Sequence, residues 1–255
     1  MNKTLNQLAL ITLLGIGHLL ALPLATLNYL HFCMFRRHVC GCLRGCPAGL
    51  HATLCDLWRS RIMREVLTAA MKTRLRGAAL SLVSSALPTH AKTGCVMAVC
   101  HSPWFRLLAE WCRENEFALV LSSDDWNHRT RGVNVLGGFR NVRRLVRHLR
   151  AGGVAVVVAD VFDVTRECPV TFLGESHLAS ILPARLAAAA GVPLAAIVPE
   201  RRTNRIFLHA GPCYNVGKQS GDQQTAMREL LGFFEREISL RPALWSRILK
   251  SPHRC

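Results

Sequence analysis

The first strong pattern in the chain is the absence of one. From residue 8 to residue 27 no position carries a formal charge, and Thr12, His18, Pro23 and Thr26 alone interrupt the apolar run. At helical rise this length matches one bilayer crossing, and the run lacks the polar face that a surface helix of a soluble protein keeps toward water. A retained membrane helix is therefore predicted. The rival is a secretory signal cleaved near Leu22-Pro23-Leu24-Ala25, but only Lys3 precedes the run and the run is long for a signal. Positive residues follow at Arg36, Arg37, His38, Arg44, Arg59, Arg61, Arg64, Lys72, Arg74 and Arg76. They place the remainder of the chain on the cytoplasmic side of a single-pass anchor in the cytoplasmic (inner) membrane.

Beyond the anchor the hydrophobic period changes repeatedly. Residues 52–87 read as a helix, with Leu54, Leu57, Met63, Val66 and Leu67 at roughly helical spacing, ended by Pro88. Cys95-Val-Met-Ala-Val-Cys100 is a buried-strand run, and Ser102 and Pro103 after it suit an N-cap and a first helical position. A helix to about Glu114 and a strand at 117–121 complete one unit. Phe139, Val142, Leu145, Val146 and Leu149 make the next apolar helical stripe, closed by Gly152-Gly153 before the strand Val154-Ala-Val-Val-Val-Ala159. A third unit sets an alanine-rich helix at about 178–190, stopped by Gly191, before a strand at 194–198. An edge strand at 205–209 and a closing helix at about 223–238 follow. Alternation of this kind predicts an α/β fold with a largely parallel sheet flanked by helices, whose site lies at strand ends. The expected organisation is an anchor at 1–36, a basic, cysteine-containing juxtamembrane and helical region at 37–92, and an α/β domain at 93–255.

Composition sharpens this picture. Half of the 255 residues are hydrophobic, yet the formal charge is +16 and the isoelectric point about 10.2. A buried core and a basic exterior must coexist, and the exterior calls for an anionic partner. Nucleic acid is not expected, because no zinc finger, helix-turn-helix or aromatic-basic sheet signature accompanies the charge. The densest basic stripe is Arg140, Arg143, Arg144, Arg147 and Arg150, opposite the apolar face of its helix. It suits an acidic protein or an anionic membrane surface, or else is a solvated face.

Eleven scattered cysteines, an odd number in a chain too large to need disulfides, indicate reduced thiols. His38, Cys40, Cys42, Cys46, His51 and Cys55 cluster without the paired C-x-x-C knuckles of common zinc sites, so no metal is assigned.

His101 directly follows a hydrophobic strand and precedes a helix, at the mouth of the sheet, where an imidazole can serve as a general base. A structural histidine is the plain alternative. Several strings around it occur in a familiar order. They are Gly94-Cys-Val-Met-Ala-Val-Cys-His101, Leu149-Arg-Ala-Gly-Gly-Val-Ala-Val-Val-Val-Ala-Asp160, Pro169-Val-Thr-Phe-Leu-Gly174, the segment from Pro183 to Pro199, and Arg241-Pro-Ala-Leu-Trp245. Together with the preceding apolar segment they resemble the lipid A biosynthesis family of lysophospholipid-type acyltransferases, from residue 5 to Lys250.

The resemblance implies a glycerol-phosphate/lysophospholipid acyltransferase-like fold. It also implies transfer of a fatty acyl group from a thioester, either acyl carrier protein or coenzyme A, to a hydroxyl or amine of a lipid acceptor. No resident cofactor is implied, since the acyl thioester is a co-substrate. His101 would be the base. An acid five residues later would orient it, but that position is Arg106. Glu110, one helical turn beyond, is a candidate replacement, as are Asp124, Asp125 and Asp160 at or after strand ends. Alternatively the histidine works unassisted, or Arg106 binds the phosphates of the thioester donor. The resemblance also assigns Arg129 and Arg131 to phosphate or oxyanion contacts, Asp160 and Asp163 to the acidic positions after a core strand, Phe172 and Gly174 to a turn bordering the site, and Arg201 and Arg202 to a basic pair after another strand. If the reversal at Arg106 has ended catalysis, the chain is instead a membrane-bound protein that binds an acidic carrier or anionic lipid.

Overall fold

A computed structural model describes residues 3–35, 50–86, 94–120, 142–162 and 168–245. The long apolar run forms α1 (Lys3–Phe35), and α2 (Leu50–Ala70) and α3 (Arg76–Leu80) follow it. The order then continues as β1 (Val83–Ala86), β2 (Cys95–Val99), α4 (Phe105–Glu114), β3 (Ala118–Val120), α5 (Val142–Arg150), β4 (Val154–Val158), β5 (Cys168–Phe172) and β6 (Glu175–Ala179). Last come α6 (Leu182–Ala190), β7 (Leu194–Arg202), β8 (Arg205–Tyr214), α7 (Ser220–Leu240) and a 3-10 turn at Pro242–Leu244.

Six strands form one sheet in the order β1-β8-β7-β2-β4-β3. Every pairing in it is parallel except β7 with β8. The strands β2, β3 and β4 are apolar on both faces because both faces are covered, as a parallel sheet requires. One face carries Val96, Ala98, Ala155, Val157 and Val198 against α5, α6, α7 and the β5-β6 hairpin. The other carries Met97, Val99, Leu119, Val156 and Ile197 against α1, α2, α3 and α4. The α/β fold is thus a largely parallel sheet between two helical layers.

Several local expectations change. The helix expected over 52–87 ends at Ala70, and its last part becomes α3 and β1. Val83 to Ala86 pair parallel with Ile206 to His209, so β8 is not the edge strand expected: β1 is. Too short and polar to announce itself, β1 forms because β8 offers an open row of backbone donors and acceptors. Leu178 and Ala179 belong to β6 rather than to the following helix, which starts at Leu182. Leu173 and Gly174, at φ 53° and 83°, make the two-residue turn that joins β5 to β6, a geometry favouring glycine. Ser102 accepts the amide of Trp104 at 3.2 Å instead of capping the helix, which begins at Phe105. Residues of α2 and α3 share a core with β2 and β4, and β1 joins their sheet.

The long N-terminal helix α1 has two faces. Leu10, Leu14, Ala21 and Ala25 are buried, and Gly17 lies so close to α2 that a β-carbon there would meet Ile62 Cγ2 at 2.6 Å. Leu8, Ile11, Leu13, Ile16, Leu19, Leu20, Leu22 and Leu27 face outward. Residues Asn6–Leu27 are long and apolar enough to cross a membrane, and an outward apolar face of this extent is foreign to water.

Candidate active site

The site follows from strand register. β2 and β4 run parallel with Cys95 opposite Val154 and Val99 opposite Val158, and Ala159 N–H donates to Val99 O at 2.8 Å just past them. Carried two residues further, the same offset sets His101 beside Asp160. The Asp160 carboxylate is completely buried, which is tolerable only if its oxygens are paired. They are. Oδ1 accepts the backbone N–H of His101 at 2.7 Å and lies 2.9 Å from its Nδ1, and Oδ2 accepts Nε1–H of Trp245 at 2.8 Å.

An ionised carboxylate only accepts, so the proton on the His101 ring belongs on Nδ1 and the lone pair on Nε2. The ring is partly exposed, at 28% of its side-chain surface, while its partner is at 0%. An imidazole with one nitrogen clamped in the interior and the other edge near the surface results. Neighbouring Cys100 reports the local field: burial first, then the charge of Asp160, pushes its thiol well above the usual range. Packing holds the third member, for Trp245 meets Phe172 edge-on, with ring centres 5.9 Å apart at 74°.

The other expected site residues fall into three groups. Phe172 touches Trp245 and so borders the site, whereas Gly174 is exposed at the far end of the hairpin turn. Glu110 does not replace the missing acid at His101: Arg76 and Arg113 bind its carboxylate at 3.1 and 3.0 Å. Helical spacing set Glu110 on the face of Arg76 in α3, while strand register brought Asp160 to the histidine. Arg106 is exposed and lines a shallow groove with Arg64, Leu67, Met71, Trp104 and Leu107. Arg201 is held by Asp56 and by Ser60 Oγ, and lines a second cleft with Glu200, Arg241 and Trp104. Arg202 is exposed, pairs with Glu200 at 3.1 Å and covers the Phe207 ring. Arg129, Arg131, Asp163, Asp124 and Asp125 lie outside the described residues, as do Cys40, Cys42 and Cys46.

The sequence offers Asp160 both as one of several replacements for the missing acid and as a substrate-side residue, without choosing it over Glu110, and gives Trp245 no role at the site. A signal for Asp160 was present: two apolar runs of equal length, 95–100 and 154–159, each followed directly by a polar residue. If such strands pair parallel and in step, those two residues must meet.

A parallel-sheet α/β domain with a histidine and a buried carboxylate at adjacent strand ends is an arrangement for base-assisted group transfer. The family model for bacterial lipid A biosynthesis acyltransferases matches residues 106–251. The chain belongs to that family and is, in general class, an acyltransferase of lipid biosynthesis. The matched stretch includes Asp160 and Trp245 and begins five residues after His101. Among solved structures, the chain is similar to the 1-acyl-sn-glycerophosphate (LPA) acyltransferase PlsC of Thermotoga maritima. The identity is 14% and the TM-score 0.36, over 72% of this chain and 87% of that one. No curated protein matches it.

Proposed function

We propose that the protein transfers a fatty acyl group from a thioester, carried by acyl carrier protein or coenzyme A, to a hydroxyl or amine of a lipid acceptor, with His101 as general base. The observation that carries this reading is the 2.9 Å contact between His101 Nδ1 and the buried Asp160 carboxylate. In the reaction, Nε2 of His101 takes the acceptor proton as the acceptor oxygen or nitrogen attacks the thioester carbonyl. The tetrahedral adduct collapses, the carbon–sulfur bond breaks, and the imidazolium returns the proton to the departing thiolate. An ester or amide and a free thiol result. Asp160 holds the ring in the useful tautomer and stabilises its transient positive charge without itself taking the proton.

Arg106 and Arg64, which line a groove with Trp104, suit a phosphate of the donor or of the lipid headgroup. The outward leucine and isoleucine face of α1 attaches the enzyme to the membrane, with the basic domain on the cytoplasmic side. The alternative of a non-catalytic binding protein drew its support from the arginine at position 106. Asp160 supplies the carboxylate whose absence motivated it.

The test is acyl transfer by the purified full-length protein from a panel of saturated acyl-carrier-protein and acyl-coenzyme A thioesters to a bacterial lipid extract, read by mass spectrometry. A mass gain of one acyl group is expected, and His101→Ala should reduce it by about a hundredfold or more with unchanged circular dichroism. A parent protein inert with every donor, or a fully active His101→Ala, would overturn the reading.

A further inference from the structure

We infer that Trp245 is a positioning residue that acts on His101 through Asp160, so that the site consists of a His101–Asp160–Trp245 chain closed by the C-terminal segment. The inference rests on the general-base reading above and adds to it a residue 85 positions beyond Asp160.

A carboxylate turns freely about its last bond unless both oxygens are held, because that torsion has broad rather than sharp minima. Oδ1 of Asp160 already serves both His101 donors. Were Oδ2 left bare, the carboxylate plane would be set by one oxygen alone, and a buried acceptor would lack a partner. The indole of Trp245 can only donate, so at 2.8 Å from Oδ2 it fixes the plane without competing for the histidine proton.

The indole is itself held from three directions. Its ring meets Phe172 edge-on. Its amide donates to Pro242 O at 3.2 Å, and Leu244 N–H donates to Arg241 O at 3.0 Å, giving the segment a single 3-10 turn. Arg241, at the head of that turn, is bound by Glu237 of α7 and, at 2.8 Å, by Glu200 of β7. The sheet and the last helix together therefore aim Trp245 at the acid. This is the support that an orienting group needs from its own partner if the base is to keep one orientation through turnover.

Packing alone would make a different prediction, and two variants separate the roles. Trp245→Phe keeps an aromatic ring against Phe172 and removes the N–H. Incorporation of benzothienylalanine at position 245 keeps the bicyclic shape and replaces the N–H by sulfur. Both are assayed as full-length protein with the donor panel and lipid extract named above, beside Asp160→Asn, His101→Ala and the double variant Trp245→Phe/Asp160→Asn. The His101 ring is followed by long-range proton–nitrogen NMR of histidine-labelled protein.

The expected results are a kcat lowered about tenfold to a hundredfold in both position-245 variants, with donor KM unchanged. The double variant should be no slower than Asp160→Asn alone, since Trp245 works only through Asp160. The imidazole should pass from one tautomer, with the proton on Nδ1, to a mixture. A benzothienylalanine protein with parent kcat and parent tautomer overturns the inference. So does a double variant slower than Asp160→Asn by the full factor seen in Trp245→Phe, which would make Trp245 a packing residue. If His101→Ala is as active as the parent, the general-base reading falls and takes this inference with it. If His101→Ala is inactive while both position-245 variants match the parent, the inference alone falls.

Discussion

His101 and Asp160 are joined twice, through the backbone amide and the ring of the histidine, to a single carboxylate oxygen. The double attachment fixes where the ring starts as well as which way it turns. Asp160→Asn should disturb the second function most, because an amide can present either a donor or an acceptor to Nδ1 and so admits the wrong tautomer. A loss of about 10² to 10⁴ in kcat is expected, with little change in donor KM. Steady-state kinetics on protein with a parent-like melting curve checks it; a loss of tenfold or less would deny Asp160 the orienting role.

Glu110 should behave differently. Its carboxylate joins Arg76 and Arg113 in a partly exposed ion-pair cluster that also includes Glu114. Glu110→Gln should cost about 0.5–1 kcal/mol of stability and leave kcat within a fewfold of the parent. Arg106→Glu, although it restores the family acid in sequence, puts that acid on the exposed side of α4 and should not rescue Asp160→Asn. Rescue, measured as restored turnover in the double variant, would return the orienting role to position 106.

The arginines of α5 offer a test of how the donor arrives. Arg143, Arg144 and Arg147 are exposed, and α5 packs on the opposite face of the sheet from α1. On the proposed attachment of α1 to the membrane, this ridge suits a soluble acidic donor protein better than it suits lipid. Replacing all three with Gln should raise KM for an acyl-carrier-protein donor several-fold at low salt, with the difference shrinking as salt is added. Michaelis constants that do not move at low ionic strength would make the ridge an ordinary solvated face.

Legibility in the sequence followed the range of the interactions involved. The buried strands β2, β4 and β7 and helix α4 were readable because their apolar periods are local. β1 was not, since Val83-Ser-Ser-Ala86 becomes a strand only beside β8. The same holds at the site. Glu110 was chosen by counting along a helix, the longest reach that spacing allows, whereas Asp160 meets His101 because β4 lies next to β2 in the sheet although β3 comes between them in the chain. Trp245 required in addition the path of α7 across the sheet. The resemblance supplied the histidine and the place where its acid should stand; the identity of the acid in this chain depended on strand adjacency.

The clamp behind Trp245 should make the site sensitive to acid. Burial by itself would raise the Glu200 carboxyl, but hydrogen bonds and charge from Arg241 and then Arg202 overcome it and hold the group below the ordinary value of 4.5. A folded-state value below the unfolded one means that the ionised form stabilises the fold. That contribution is complete above the unfolded value and is lost as pH falls from about 4.5 toward the lowered folded value. Glu200→Gln removes the titrating group. It should lower stability by about 1–2 kcal/mol at neutral pH and flatten the decline of stability below pH 4.5. Because Glu200 binds Arg241 at the head of the turn that carries Trp245, kcat should also fall several-fold at neutral pH, where the fold is intact. Denaturant melts across the acid range, with activity measured in parallel, check both parts. A variant whose melts and kcat track those of the parent at every pH would show that the Arg241 anchor does not depend on Glu200.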